Sequence, residues 1–307
     1  MIAPRNKRPP VGIILAAYGT TNQASAKETI MPFYRILKRR FPRREVRLAY
    51  TSRKIVDKLW KRGIDQPTEI DCLLDLLEEG IQKFYIQPLF ITYGQELTAL
   101  HERIKAFQKR YPGLEIKVGP PLLTAESLQD HVLLRALAIH QLANIDMGDT
   151  AGSHCVYVAH GGSSDAEAMY GLLEERLSYH LMETVTVTSL DRCAKDDWSW
   201  LAKGTVKGKE TEGQEDPKEQ KEQKEQKGQD GQGGHNEKKR IHLFPLFFTL
   251  GYHPKKDILG SLPQSVKSRL EAMGYQVIPH PVGIGLSEYV QEAWEEFVVE
   301  NIKIFLD

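Results

Sequence analysis

The sequence predicts an α/β protein of two similar, doubly wound lobes, each with a parallel sheet covered by helices on both faces. Two observations predict this fold. Short apolar segments rich in branched and aromatic residues alternate with longer helical patterns, and the two halves of the chain repeat each other. We expect an N-terminal lobe over 1–145, a C-terminal lobe over 146–307, and an active-site cleft between them.

In the first half, the apolar segments predict four strands: Val11–Ala17, Glu45–Tyr50, Phe84–Phe90 and Glu115–Val118. The helical patterns between them lie around Lys27–Arg40, Ile55–Lys61, Glu69–Glu79, Leu97–Arg110 and Glu126–Gln141. The second half predicts strands at Cys155–Ala159, Thr184–Thr188, Ile241–Phe248 and Tyr275–Pro279, and a closing helix at Ser287–Phe305. This order is typical of parallel sheets with crossover helices.

The repeat is clearest where the third strand of each half ends. Residues 87–96 align without gaps on residues 244–253, and five of the ten positions are identical. Residues 14–19 likewise resemble 156–161, and residues 48–52 resemble 185–189. Each half therefore runs strand, helix, strand, helix, strand in the same order, which predicts matching turns at the carboxyl ends of both sheets.

These repeated turns keep the scaffold and change the reactive side chain. Tyr18 in the first half corresponds to His160 in the second, and Glu96 corresponds to His253. Ligands of such sheets bind beyond the carboxyl ends of the strands. His160 and His253 are therefore candidate ligands, and His280, which also follows a strand, is an intermediate case. Structural or surface roles are expected for the histidines within helical or strand patterns: His101, His131, His140, His180 and His242.

Composition excludes several classes. The 41 Lys and Arg balance 41 Asp and Glu, so there is no electrostatic footprint for nucleic acid or an anionic membrane. No apolar run reaches the roughly 18 residues of a membrane span. Val11–Ala17, preceded by basic residues and two prolines, is better explained as a first strand than as a signal peptide. Three cysteines without metal-ligand spacing suit a reducing compartment, and we expect a cytoplasmic protein.

Residues 207–239 form a polar insertion without any apolar or aromatic side chain. Residues 218–226 contain Lys-Glu-Gln three times in succession. Such a segment cannot bury enough surface to offset its ordering entropy, so the sequence predicts disorder. A tolerated surface-loop insertion is expected rather than a docking tail.

Familiar catalytic motifs are absent from the sequence. It has no Gly-x-x-x-x-Gly-Lys-Ser/Thr loop, no Gly-x-Ser-x-Gly elbow and no His-Glu-x-x-His pair, so we expect no organic cofactor. The remaining candidate is a pair of imidazoles with carboxylates in a cleft. That donor set suits a borderline divalent cation such as cobalt, nickel, iron or zinc.

The motifs together resemble a known family. Val158-Ala-His160-Gly, Gly251-Tyr-His253-Pro-Lys255-Lys-Asp257-Ile-Leu-Gly260, Thr51-Ser52-Arg53 and Gln87-Pro-Leu89 occur in this order at predicted strand ends. In this combination the chain resembles the class II tetrapyrrole chelatases, and among them the anaerobic-type sirohydrochlorin cobaltochelatases of cobalamin synthesis. The resemblance covers nearly the whole chain apart from 207–239.

The resemblance implies residue roles. In the family, two histidines at these places bind the incoming metal and one is proposed to accept pyrrole protons, which implies these roles for His160 and His253. A family glutamate that ligates the metal lies in a Thr-Val-Glu-Gly stretch; the matching stretch here places Asp191, one methylene shorter, before Arg192 instead of glycine. Glu96 matches a further cleft glutamate, expected to handle protons or place the substrate.

The expected substrates are a carboxylate-rich tetrapyrrole and a divalent metal, Co²⁺ first and Fe²⁺ or Ni²⁺ next. Apolar walls for the ring are expected from Leu89, Phe90, Leu250 and Tyr252. Further substrate contacts are expected at Tyr18, Thr20, Arg53, Lys255 and Gly283, where the lysine could instead be a solvated loop residue and Arg53 a structural ion-pair partner. Other metals or rings, a non-catalytic metal or tetrapyrrole binder, and a homo-oligomer all stay open.

Overall fold

The computed structural model describes residues 11–146, 153–204 and 239–307. Residues 207–238 of the polar insertion lie outside the described residues, as does the segment 147–152 next to the expected lobe boundary. The division of the chain at residue 145 stays a prediction.

The first sheet contains four parallel strands in the order β2-β1-β3-β4. They are β1 (Val11–Ala17), β2 (Glu45–Tyr50), β3 (Lys83–Leu89) and β4 (Glu115–Val118). All seven residues of β1 are buried, because this central strand is covered by helices on both faces.

The second sheet repeats this topology, with the order β6-β5-β7-β8 and parallel pairing throughout. Its strands are β5 (Ser153–Ala159), β6 (Val185–Ser189), β7 (Arg240–Pro245) and β8 (Gln276–Pro279). The predicted fold class is confirmed. The predicted strand 241–248 was too long, because after Pro245 the chain leaves the sheet for the turns that carry His253.

The helices fill the predicted positions, with two breaks. Pro32 lacks the N–H that a continuous helix would need, so the predicted helix 27–40 divides at Ile30. Asp130 accepts a hydrogen bond from the Val132 backbone N–H (2.9 Å) and restarts the predicted helix 126–141. No helix among the described residues is long and apolar enough to cross a membrane.

The structure contains the following helices: α1 (Gln23–Thr29), α2 (Met31–Arg40), α3 (Arg53–Trp60), α4 (Glu69–Glu78), α5 (Gln95–Arg110), α6 (Ala125–Gln129), α7 (His131–Leu142), α8 (Ser164–Leu181), α9 (Leu190–Ala194), α10 (Val266–Ala272) and α11 (Glu288–Leu306). A π-helical turn spans Pro254–Ile258, and 3₁₀ turns span Ser199–Gly204 and Ile284–Leu286.

Two helices exchange between the halves of the chain. From the first half, α7 packs on α8, and its His140 lies edge-on to Phe244 of the second sheet (ring centroids 6.4 Å apart). From the end of the chain, α11 returns to the first sheet, where Phe305 contacts Tyr85 (centroids 5.4 Å apart). One apolar core therefore runs through both sheets, and it fixes the two lobes relative to each other.

An ion-pair cluster fastens α11 to α2. Glu295 is largely buried and accepts a hydrogen bond from Arg39 (2.8 Å), and it also pairs with Arg40. Phe33 of α2 meets Trp294 of α11 edge-on, with ring centroids 4.9 Å apart. Removing Glu295 would leave Arg39 and Arg40 without their carboxylate partner, while the Phe33–Trp294 contact would persist.

Buried histidines lie beside the second sheet. His242 and His280 share a hydrogen bond between their rings (2.9 Å), and the His280 ring stacks on Phe244 with centroids 4.1 Å apart. Burial lowers the pKa of His140, His154 and His280 to about 4 in each case, and for His280 the neighbouring histidines add to the effect of burial.

We expect acid to destabilise the fold through these histidines. In the unfolded chain they protonate near pH 6.5, whereas in the folded protein they stay neutral to about pH 4. The unfolded state therefore binds more protons in this window, and stability falls as the pH drops from 6.5 towards 4. Denaturant unfolding should show a lower midpoint at pH 5 than at pH 7.

The pH dependence of the midpoint should weaken in a His140→Leu variant, because this variant lacks one of the buried histidines that stay neutral in the fold. The replacement breaks no hydrogen bond of His140 Nε2, since this atom is buried without a partner. Each such histidine contributes up to about 1.4 kcal/mol per pH unit. Equal midpoints at pH 5 and pH 7 in the unsubstituted protein would contradict this account.

Candidate metal and active site

The structure brings His160 and His253 together. His160 follows the last residue of β5, and His253 stands directly before the π-helical turn Pro254–Ile258. Their ring centroids are 5.7 Å apart and the rings are nearly perpendicular, at 82°. Metal–nitrogen bonds of about 2.0–2.1 Å would set two imidazole centroids roughly 5–6 Å apart across one ion. The observed separation fits a shared divalent cation.

A left-handed glycine shapes the turn beside His160. Gly161 has φ of +107°, and a Cβ at this position would lie 2.3 Å from Oδ2 of Asp191. Only glycine allows this backbone conformation together with so close a carboxylate. The equivalent Gly19 of the first half also has a positive φ, with Tyr50 in the place of Asp191, so the repeat extends to turn geometry.

A carboxylate orients the second histidine. Nδ1 of His253 lies 2.6 Å from Oδ2 of Asp257, one turn further along the π-helical segment. An ionised carboxylate only accepts hydrogen bonds, so Nδ1 carries the proton and donates it. Nε2 then keeps a free lone pair for a metal. The His253 side chain is exposed, so this nitrogen is accessible.

Residues of the two lobes meet beside these histidines. Ser163 donates a hydrogen bond to the Tyr93 carbonyl (3.4 Å), and a Cβ on Gly162 would lie 3.6 Å from Cα of Gly94. Glu96 is the second residue of α5, which follows Gly94, and it therefore lies near the His160 turn.

Tyr170 lies near carboxylates of both lobes. The residue is buried, its hydroxyl lies by the Gly161 backbone, and the charges of Glu167, Asp191 and Glu96 act on its pKa. Burial first, and then these carboxylates, raise the pKa of Tyr170. Carboxylates from both lobes therefore lie within electrostatic range of Tyr170, beside the Gly161 turn.

Within the described part of the chain, no set of three His, Cys, Asp or Glu side chains is arranged to hold one ion. Coordination of an ion by the pair His160 and His253 stays a prediction. Asp191 is exposed and lies against Gly161, and its assignment as third ligand stays a prediction.

The predicted substrate-binding residues divide into exposed and buried groups. Tyr18 is 48% exposed, Arg53 stands exposed at the first position of α3, and Lys255 is exposed beside His253. Tyr252, predicted as an apolar wall, is 67% exposed, with the Lys256 ammonium 5.0 Å from its ring centre. These side chains are exposed, and their contact with a substrate stays a prediction.

Three other predicted contacts are buried. Thr20 accepts a hydrogen bond from the Asn22 N–H (3.2 Å) and shapes the turn before α1. Leu89 belongs to the core together with Phe90. Gly283 is buried too, and it packs so closely that a Cβ there would lie 2.6 Å from the Phe248 carbonyl oxygen. Their contact with a substrate stays a prediction.

Sequence analysis missed Asp257 as the partner of His253, although their i, i+4 spacing could have indicated it. It also missed a cavity of about 260 Å³ at the carboxyl end of the first sheet. Thr51 and Arg103 line this cavity together with Tyr18 and Glu96. Arg103 lies within a helix, where its sequence neighbours give no sign of the cavity.

Comparison with solved structures shows which known proteins share this fold. The fold matches the sirohydrochlorin chelatase SirB from Bacillus subtilis subspecies spizizenii in complex with cobalt, with a TM-score of 0.59, 12% identity, and coverage of 96% of this chain and 97% of that chain. SirB from Bacillus subtilis with Fe³⁺ matches equally well, with a TM-score of 0.59, 15% identity, and coverage of 97% and 99%. The chain thus has the fold of these chelatases.

Sequence comparison then gives the family. Residues 11–195 match the model of the cobalt chelatase (CbiK) family, and the chain belongs to this family. It is 28% identical to the sirohydrochlorin cobaltochelatase CbiKC of Nitratidesulfovibrio vulgaris, over 96% of this chain and 92% of the relative. It is 24% identical to the sirohydrochlorin cobaltochelatase of Salmonella typhimurium, over 89% of each chain.

We expect Asp257→Ala to weaken Co²⁺ binding by about ten- to a hundredfold, the usual effect of losing such an orienting partner. Asp257→Asn should retain most of the affinity, because its amide oxygen still accepts from Nδ1. Calorimetric titration with Co²⁺ measures both, and Asp57→Ala, at an exposed carboxylate of α3, is the control. Unchanged Co²⁺ affinity in Asp257→Ala would show that binding of the ion does not require Asp257 to orient His253.

Proposed function

We propose that this cobalt chelatase inserts Co²⁺ into sirohydrochlorin. The observation that carries the proposal is the approach of the His160 and His253 rings to 5.7 Å. Sirohydrochlorin as the ring is supported by the names of the two relatives, which cover most of this chain.

The donor set suits a metal that must be delivered. Neutral imidazoles bind borderline divalent cations, whereas an all-carboxylate site would favour hard cations and a thiolate site would hold the metal tightly. His253 presents Nε2 because Asp257 holds Nδ1–H. With two protein nitrogens, the ion keeps positions that pyrrole nitrogens of the substrate can occupy in turn.

Insertion also requires two pyrrole N–H protons to leave the ring. An imidazole accepts protons near neutral pH, so each histidine that releases the metal becomes a base for the substrate. We assign Glu96 to accept or relay these protons, because it comes from the opposite lobe and acts electrostatically at the Tyr170–Gly161 corner. Asp191 is assigned as the third metal contact, against Gly161.

Iron is the second candidate metal, since one structure with this fold contains Fe³⁺. Nickel has the same kind of donor preference. Incubating the purified protein with sirohydrochlorin and Co²⁺, Fe²⁺ or Ni²⁺ separately, and following absorbance, ranks the metals. The fastest rate above the spontaneous reaction should be obtained with Co²⁺.

We place the reaction in the cytoplasm. Cys72, Cys155 and Cys193 are all free and buried, as is expected in a reducing compartment. The partners in this proposal are the small-molecule ring and the metal, without nucleic acid or membrane. A homo-oligomer stays open.

The histidine pair gives the direct test. His160→Ala and His253→Ala should each lower Co²⁺ insertion by at least about 10²-fold, with an unchanged far-UV circular dichroism spectrum. His180→Ala, at the exposed end of α8, is the matched control and should react at the rate of the unsubstituted protein.

Two results would contradict the proposal. One is full activity in the double variant His160→Ala/His253→Ala. The other is stoichiometric binding of ring and metal by the unsubstituted protein without turnover, which would identify a carrier instead of an enzyme.

A further inference from the structure

The cavity at the carboxyl end of the first sheet is lined by an arginine side chain and a threonine with an unpaired hydroxyl. It measures about 260 Å³ and is lined by Tyr18, Thr51, Gln95, Glu96, Ala99 and Arg103. Pockets for whole drug-sized ligands measure about 300–1,000 Å³, so this cavity fits a substituent of a larger molecule. Arg103 is its one cationic lining residue.

An ion pair with Glu69 orients the Arg103 guanidinium. Its Nε pairs with Oε1 of Glu69, which is only 1% exposed at the first position of α4. The guanidinium has five N–H donors, and this contact uses one. Within the described ranges, the structure records no other hydrogen bond or ion pair of Arg103. Its remaining donors are left for a ligand, in a fixed orientation.

Thr51 supplies a second unused donor. The residue is 7% exposed, its backbone N–H is bonded to the Ala17 carbonyl (2.8 Å), and its Oγ1 is buried without a hydrogen-bond partner. A buried polar atom without a partner costs free energy. Since Thr51 lines the cavity, a ligand oxygen in the cavity would satisfy its hydroxyl.

The two donors match the oxygens of a carboxylate. A guanidinium repels cations and binds carboxylates, while the Thr51 hydroxyl can donate to a carboxylate oxygen. Glu96 lines the same cavity and also acts on Tyr170 beside Gly161, so the cavity adjoins the histidine-bearing turn. A ring held at the histidines could extend a side chain into it.

We propose that Thr51 and Arg103, the latter positioned by Glu69, form a subsite for one peripheral carboxylate of the tetrapyrrole. This inference rests on the proposed function, because it takes the carboxylate-bearing ring as the ligand. The subsite fixes the rotation of the ring relative to the histidine pair.

The cleanest variant is Thr51→Val, which removes the unpartnered hydroxyl and keeps the shape. It should leave the melting temperature unchanged or higher, and it should weaken sirohydrochlorin binding about tenfold, the value of one hydrogen bond to a charged group. Thr188→Val is the matched control, since Thr188 is the fully buried equivalent of Thr51 in the second sheet and does not line the cavity.

Arg103→Lys is the second variant. It keeps a cation for Glu69 and loses the planar fork, so it should also weaken ring binding by about tenfold. Arg110→Lys, exposed at the end of the same helix, should have no effect. Affinity is measured by fluorescence titration without metal, which separates ring binding from Co²⁺ binding.

The carboxylate itself is tested with sirohydrochlorin whose carboxyl groups are methyl esters. Neither Thr51→Val nor Arg103→Lys should change the affinity for this ester. Wild-type affinity for the free acid in both variants would overturn the subsite and leave the proposed function intact. Failure of the unsubstituted protein to bind or metallate sirohydrochlorin would overturn the proposed function, and the subsite with it.

Discussion

The position of Glu96 relative to the histidine pair depends on the way α7 and α11 hold the two sheets against each other. α7 packs on Phe244 of the second sheet, while α11 from the other end of the chain packs on Tyr85 of the first. The apolar core is continuous through both sheets, and close-packed interiors yield little to strain. A rigid relation between the sheets keeps the strand-end turns in register, so His160, His253 and Glu96 stay at fixed positions around one cleft.

The duplicated architecture explains how one scaffold supplies two kinds of chemistry. Equivalent turns at Gly19 and Gly161 share a left-handed backbone, but the side chain before them is tyrosine in one lobe and histidine in the other. The second lobe thereby carries the proposed metal-binding nitrogens, and the first carries Glu96 and the cavity with Arg103. In the proposed reaction, metal and ring are bound from opposite lobes, which suits a reaction that joins the two.

The two parallel sheets and their strand-end turns could be predicted from sequence. Buried parallel strands appear as short apolar segments, and the internal repeat marks where these strands end. Gly161 and His160 followed from that pattern. Other features depend on tertiary structure. Apolar spacing continues across Ile30 and Asp130, so it could not show the helix breaks. The Arg103–Glu69 pair joins residues 34 positions apart, and burial of Leu89 and Thr20 follows from how the helices cover the strand ends.

The central claim is that His160 and His253 hold one ion between them. A crystal of the protein soaked with Co²⁺ and measured at the cobalt absorption edge tests it directly. We expect a single anomalous peak about 2.0–2.3 Å from Nε2 of His253 and from a ring nitrogen of His160. Cobalt bound elsewhere, or bound by one of these histidines while the other points away, would contradict the account.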